Sequence, residues 1–221
     1  GRPWIRYDPA TDTPSPVAKL VGQDQPKAGP SSIWVGSRMA MIYDVAPEGF
    51  ALYDPETDKW TTTTPPAALL PPVAKPGIVA HCYGGYGDDL YVFAPKLKAT
   101  PGGPWPNGPD QNKVERVMMK LHVPSLSWSL VGGKVPQGMH CDSPSYAQVV
   151  PSSGVISVFS PYPKHAVTRF DLASQTWLDP VPFPVIWGGS MKLYGLAGPR
   201  IWLAGWLTNG AEYAELPTMT K

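Results

Sequence analysis

Cysteine is scarce in this chain of 221 residues: only Cys82 and Cys141 occur, enough for one disulfide and too few to frame a fold of this size. A charge excess is missing as well. Eighteen basic residues stand against seventeen acidic ones, interspersed, for a net charge of +1. That balance lacks the basic footprint that nucleic acid or an anionic membrane demands, so neither is expected as a partner. No run of 18 apolar residues exists, and no membrane span is expected. The three asparagines, Asn107, Asn112 and Asn209, are never followed by x-Ser/Thr, so no N-glycosylation acceptor is present. These absences favour an intracellular setting, cytoplasm or nucleus. No stretch of twelve residues shows a helical apolar stripe, which predicts almost no helix.

Proline (29) and glycine (22) are abundant instead, and they alternate with Trp, Tyr, Val and Ile as turn punctuation between strands. The chain is long enough to bury roughly 70% of its unfolded surface, and it is read as one domain over 1–221. The opening Gly1-Arg2-Pro3-Trp4 is neither an initiator start nor a signal peptide, so the chain is expected to be a processed piece.

A short phrase returns along the sequence: an aromatic anchor, an aspartate, a turn cluster, then tryptophan seven residues after the anchor. It reads Tyr53-Asp54-Pro55-Glu56-Thr57-Asp58-Lys59-Trp60 and again Phe170-Asp171-Leu172-Ala173-Ser174-Gln175-Thr176-Trp177. Leu121 to Trp128 is a weaker copy, Tyr7 to Thr13 lacks the tryptophan, and Tyr213 to Thr218 is fainter still. The anchors are spaced by 46, 68, 49 and 43 residues. The long interval holds a Pro/Gly/Asn/Lys insertion over 95–112, whose removal restores the common period. Aspartate-rich segments favour tight turns through side-chain bonds to backbone amides. The tryptophan then starts an outer strand, where its ring can pack between neighbouring sheets.

Four short strands fit each unit. They fall at 33–35, 39–43, 50–53 and 60–64 in the first, and at 78–83, 90–93, 114–121 and 128–131 in the second. The third has 146–150, 155–159, 166–170 and 177–178. A repeat near 50 residues built this way is the mark of a β-propeller or a similar array. The phrase, with Gly84-Gly85 between Tyr83 and Tyr86, resembles the kelch motif, and the chain is similar to a divergent kelch-like propeller. Units one and three lack the diglycine, and Gly188-Gly189 precedes its strand. The expected fold is all-β: a small propeller of four blades of four antiparallel strands. Residues 4–7 would share one sheet with strands at 191–194, 201–204 and 212–216, which removes the open sheet edges. Five blades, or a fragment or two-chain ring, are the alternatives.

In such a fold the connections from first to second and from third to fourth strand are short and share one face, as at 36–38, 85–88 and 151–154. The other connections, 23–32, 64–77, 95–113, 132–139, 160–165, 179–187 and 206–211, are long and emerge opposite. Long loops on a rigid scaffold are where binding resides. Lys96, Lys98, Trp105 between Pro104 and Pro106, His165, Phe183, Trp187 and Trp206 are the candidate binding residues. Each aromatic could instead cover its own blade, and Ala67-Ala68-Leu69-Leu70 could be an exposed patch or tuck beneath a neighbour.

His81-Cys82 and His140-Cys141 invite a zinc reading. Adjacent strand residues point to opposite faces, so each pair converges poorly and no metal is expected. A Gly-x-Ser-x-Gly elbow, a phosphate loop and a His-Glu zinc motif are all missing. Gly84-Gly85-Tyr86-Gly87 reads as a strand-to-strand turn with no helix to receive phosphate. No cofactor is expected. The favoured function is therefore a recognition module binding a protein or peptide partner. A lectin-like or small-molecule binder is the second reading. The third is an enzyme at the channel mouth, with His81, His140 and His165 as candidate acid/base groups.

Overall fold

The computed structural model describes residues 5–18, 32–43, 49–69, 82–94, 117–132, 135–136, 149–152, 154–160, 166–182, 191–197, 200–205 and 211–215. Among these described residues the chain is all-β apart from one 3-10 turn, Ala67–Leu69. An N-terminal hairpin pairs β1 (Ile5–Asp8) with β2 (Thr13–Pro16). The first sheet is β3 (Ser32–Val35), β4 (Arg38–Tyr43), β5 (Gly49–Asp54) and β6 (Lys59–Thr63). The second is β7 (Cys82–Tyr86), β8 (Asp89–Ala94), β9 (Val117–His122) and β10 (Ser127–Val131). The third is β11 (Val149–Ser152), β12 (Val155–Ser160), β13 (Ala166–Asp171) and β14 (Thr176–Pro182). The fourth has three strands, β15 (Met191–Ala197), β16 (Arg200–Gly205) and β17 (Ala211–Glu215). Every pairing is antiparallel and every sheet runs in chain order.

The expected strands form where the chain is described, most of them longer by one to three residues than their apolar stretches, while the expected strand residues 78–81, 114–116 and 146–148 lie outside the described residues. Three differences stand out. Gly84 and Gly85 lie inside β7, and the turn falls one step later, at Gly87-Asp88. A Cβ on Gly85 would strike the Trp34 carbonyl and a Val35 methyl, so glycine serves close approach of β7 to β3 here. Residues 13–16 form a strand despite two prolines, which an outermost strand tolerates because its free edge needs no donor. Third, the two chain ends sit in separate sheets: β1 pairs with β2, and β17 with β16.

First strands of successive sheets lie side by side, β3 against β7, β7 against β11 and β11 against β15. The core fills the spaces between sheets. Val35, Ala40, Phe50 and Leu52 of the first sheet meet Tyr83, Leu90, Val92, Met119 and Leu121 of the second. Tyr91, Phe93, Met118 and Val131 on the second sheet's other face meet Ile156 and Phe170 of the third. Burial on both faces explains why β8 reads Leu90-Tyr91-Val92-Phe93 without alternation. Leu69, on the short 3-10 turn, packs against the first of these cores, while Ala67 and Ala68 stay exposed.

The recurring phrase forms the N-terminal hairpin and the outer hairpins of the first three sheets, and its conformation repeats. The residue five places after the anchor is left-handed in all four described copies: Asp12 (φ 51°), Asp58 (52°), Leu126 (54°) and Gln175 (56°). Asp8, Asp54 and Asp171 each accept a bond from the amide two residues on, Ala10, Glu56 and Ala173, at 2.9 to 3.0 Å. Anchor and tryptophan lie directly opposite: Tyr53 on Trp60 with ring centroids 5.0 Å apart, Phe170 on Trp177 at 5.1 Å.

Each tryptophan reaches back to the preceding unit. Trp60 Nε1 donates to the Ala18 carbonyl at 2.7 Å, and Trp128 Nε1 donates to Thr63 Oγ1 at 2.9 Å. The Trp128 ring lies 5.9 Å from that of Phe50, and Trp177 lies 5.9 Å from Phe93. The expected packing of tryptophan between sheets is thus what the structure contains. It also places the N-terminal hairpin where the outer half of a preceding unit would stand.

Candidate functional site

The short turns gather on one face and are tied to each other. Val123 N donates to the Asp88 carbonyl at 2.9 Å, and Leu172 N donates to the Gly154 carbonyl at 2.8 Å, so inner and outer turns of the second and third sheets are joined. Arg6 donates to the Pro55 carbonyl at 3.1 Å, and Ala18 N donates to Asp58 Oδ1 at 3.0 Å, joining the N-terminal hairpin to the first sheet. The bond from the Ala18 amide, then that from the Tyr53 hydroxyl, holds the Asp58 carboxyl below the usual carboxylate range. The Glu56 amide does the same for Asp54. Burial first, and then the Asp58 bond, pushes the Tyr53 hydroxyl up.

A titratable cluster lies beside these turns on the second sheet. Asp89 and His122 are cross-strand partners on β8 and β9, as are Tyr91 and Lys120 two residues on, which puts all four on one face. His122 Nδ1 lies 2.8 Å from Asp89 Oδ1, and Lys120 Nζ lies 3.3 Å from Asp89 Oδ2. Tyr91 is buried, and its hydroxyl is pushed up to about 12 by that burial and then by the Asp89 carboxylate, to which it also bonds. The His122 side chain is 45% exposed, with Nδ1 turned to Asp89. Sequence reasoning passed over His122. The available signal was its position: it fills the place that aspartate holds in three other copies of the phrase.

Chemically, the cluster joins two strands through one carboxylate with three donors around it. Among the described residues no group of three or more His, Cys, Asp or Glu side chains lies together as a metal site. The binding candidates Lys96, Lys98, Trp105, His165, Phe183, Trp187 and Trp206 all lie outside the described residues, as do His81, His140 and Cys141. Cys82 is in β7, with its side chain outside the described set.

No protein-family model matches this chain. No curated protein matches it either. Among solved structures it is similar to the β-propeller domain of the Trilobed protease from Pyrococcus furiosus, a domain with an open velcro topology. The likeness has 9% sequence identity and a TM-score of 0.36, over 83% of this chain and 55% of the other. The chain thus spans about half the length of that relative.

Proposed function

We propose that this chain is a small propeller-type recognition module, of a divergent kelch-like kind, that binds a protein or peptide partner through its long-loop face. In this reading four units stand around one axis, with strands from both chain ends completing the ring. The repeated outer hairpins and the side-by-side first strands support that arrangement.

The observation that carries the functional reading is the asymmetry of the two faces. Turns on one face are short and bonded to each other, leaving their backbone groups little freedom to take a partner. In this reading the long connections, including the 95–113 insertion with Lys96, Lys98 and Trp105, would leave from the other. A tryptophan flanked by prolines loses little conformational entropy on docking, which suits it to anchor an interface. His165, Phe183, Trp187 and Trp206 fall in the sequence within or at the start of the other long connections.

The test is affinity capture from the native source with three baits: the wild-type chain, Trp105→Ala, and a deletion of 99–110. The reading expects a partner retained by the wild-type chain and lost from both variants, with unchanged melting temperatures. Equal capture by all three, or capture of a glycan or metabolite in place of a protein, contradicts it.

A further inference from the structure

The last unit of the array has one strand too many for its third position, and the register tells the two candidates apart. In the three complete sheets the anchor of the phrase pairs with the second residue of the second strand: Tyr53 with Met39, Leu121 with Leu90, Phe170 with Ile156. In the fourth sheet the β17 anchor, Tyr213, pairs with the third residue, Trp202. A slip of one residue turns every side chain of a strand to the opposite face. β17 is thus out of step with the units before it.

The N-terminal hairpin is in step. It carries the aspartate-capped turn, the left-handed Asp12, and a Tyr7 to Asp12 bond of 2.6 Å that matches the Tyr53 to Asp58 bond of 2.7 Å. It sits on Trp60 as β6 sits on Trp128. What it lacks is inner strands. Among the described residues β1 has no strand on its inner edge, and Ile5 and Tyr7 are 62% and 57% exposed. Their equivalents in the complete units, Ala51, Met119, Thr168, Tyr53, Leu121 and Phe170, are all buried.

The joint ahead of the first sheet shows the same vacancy. Counting back from the turn glycines Gly36 and Gly87, Trp34 holds the place of Gly85, the residue that faces the preceding unit. Trp34 is 61% exposed. Beside it, any first strand must be small, and β15 carries Gly195 and Ala197 at the register positions that Ile33 and Val35 hold in β3.

We propose that the inner edge of β1 is a docking edge for β16 of the same chain, taking the place that β17 holds. In this closed form Tyr7 pairs with Ile201 and Ile5 with Leu203, β15 lies against Trp34, and β17 is released. The proposal rests on the ring arrangement above and names the strands that complete it.

Disulfide trapping decides between the two strands, in a background carrying Cys82→Ala and Cys141→Ala. The pair Ile5→Cys with Leu203→Cys should oxidise to an intramolecular disulfide. The pair Leu203→Cys with Glu212→Cys, which reports the β17 register, should close at least tenfold more slowly. The reverse ranking, a disulfide formed only between two molecules, or closure of neither pair in protein that keeps its circular dichroism overturns the proposal. Deleting 206–221 gives a second reading without cysteines: the melting temperature should hold, and a loss comparable to that from deleting 1–18 overturns it. Small-angle scattering separates the levels. A compact ring without the first disulfide sinks the strand assignment alone, whereas an open, elongated particle sinks the ring.

Discussion

Val131→Thr should stabilise this protein, although burying a hydroxyl in place of a methyl is ordinarily unfavourable. Val131 ends β10 and is buried. Its counterpart at the end of β6 is Thr63, whose Oγ1 accepts the Trp128 indole proton. Val131 offers no such acceptor to Trp177, and Trp177 Nε1 is buried with no hydrogen-bond partner among the described residues. An orphaned buried donor costs about 1–3 kcal/mol. Desolvating the new hydroxyl costs about 1–2 kcal/mol on the same mutational scale, and the bond it makes returns that sum and relieves the indole. The net expectation is a gain of about 1 kcal/mol. For a chain of this length that raises the melting temperature by about 2–4 °C. Urea titration followed by tryptophan fluorescence measures it, with Trp177→Phe as the background in which the gain should vanish. A loss of 1 kcal/mol or more, or a gain that survives Trp177→Phe, would refute the reasoning.

Other consequences follow from the joints between sheets. Gly85→Ala puts a methyl against the Trp34 carbonyl, a backbone atom that cannot turn aside, and should cost about 3 kcal/mol in a urea titration; a cost under about 0.5 kcal/mol would show that β7 and β3 stand farther apart. Asp58→Ala removes the acceptor for the Ala18 amide and the Tyr53 hydroxyl, so protease cleavage within 1–18 should accelerate. Because the Asp58 carboxyl is held below its ordinary value, its contribution is present above roughly pH 4 and fades as pH falls through the lower folded value. The wild-type chain should accordingly show the same faster cleavage on acidification, and a cleavage rate flat from pH 6 to pH 3 would argue against that role.

The outer hairpins were legible in the sequence because two physical demands coincide at fixed spacing. An aspartate must cap the turn, and an aromatic must stand opposite a tryptophan to seal the joint. The left-handed residue within that turn was hidden, since two aspartates (Asp12 and Asp58), Leu126 and Gln175 have no side-chain chemistry common to all four and only their position reveals them. Gly84-Gly85 was misread as a turn because glycine pairs usually supply turn conformations. Here the demand comes from a neighbouring strand, which no local pattern records. β2 was missed because Pro14 and Pro16 argue against a strand everywhere except at an outer edge. His122 was overlooked because a single histidine in a degraded copy of the phrase carries no motif, and its partner Asp89 lies 33 residues away. The long-loop candidates rest on the sequence alone.

Sheet locked onto sheet through a single indole is the claim that supports the rest, and a double-mutant cycle on Trp128→Phe and Thr63→Val measures it. Phenylalanine keeps a ring near Phe50 and removes the donor; valine keeps the shape of threonine and removes the acceptor. The two losses should be non-additive, with a coupling of about 1 kcal/mol between residues 65 positions apart in the chain. Additive losses would mean that this bond does not join the two sheets.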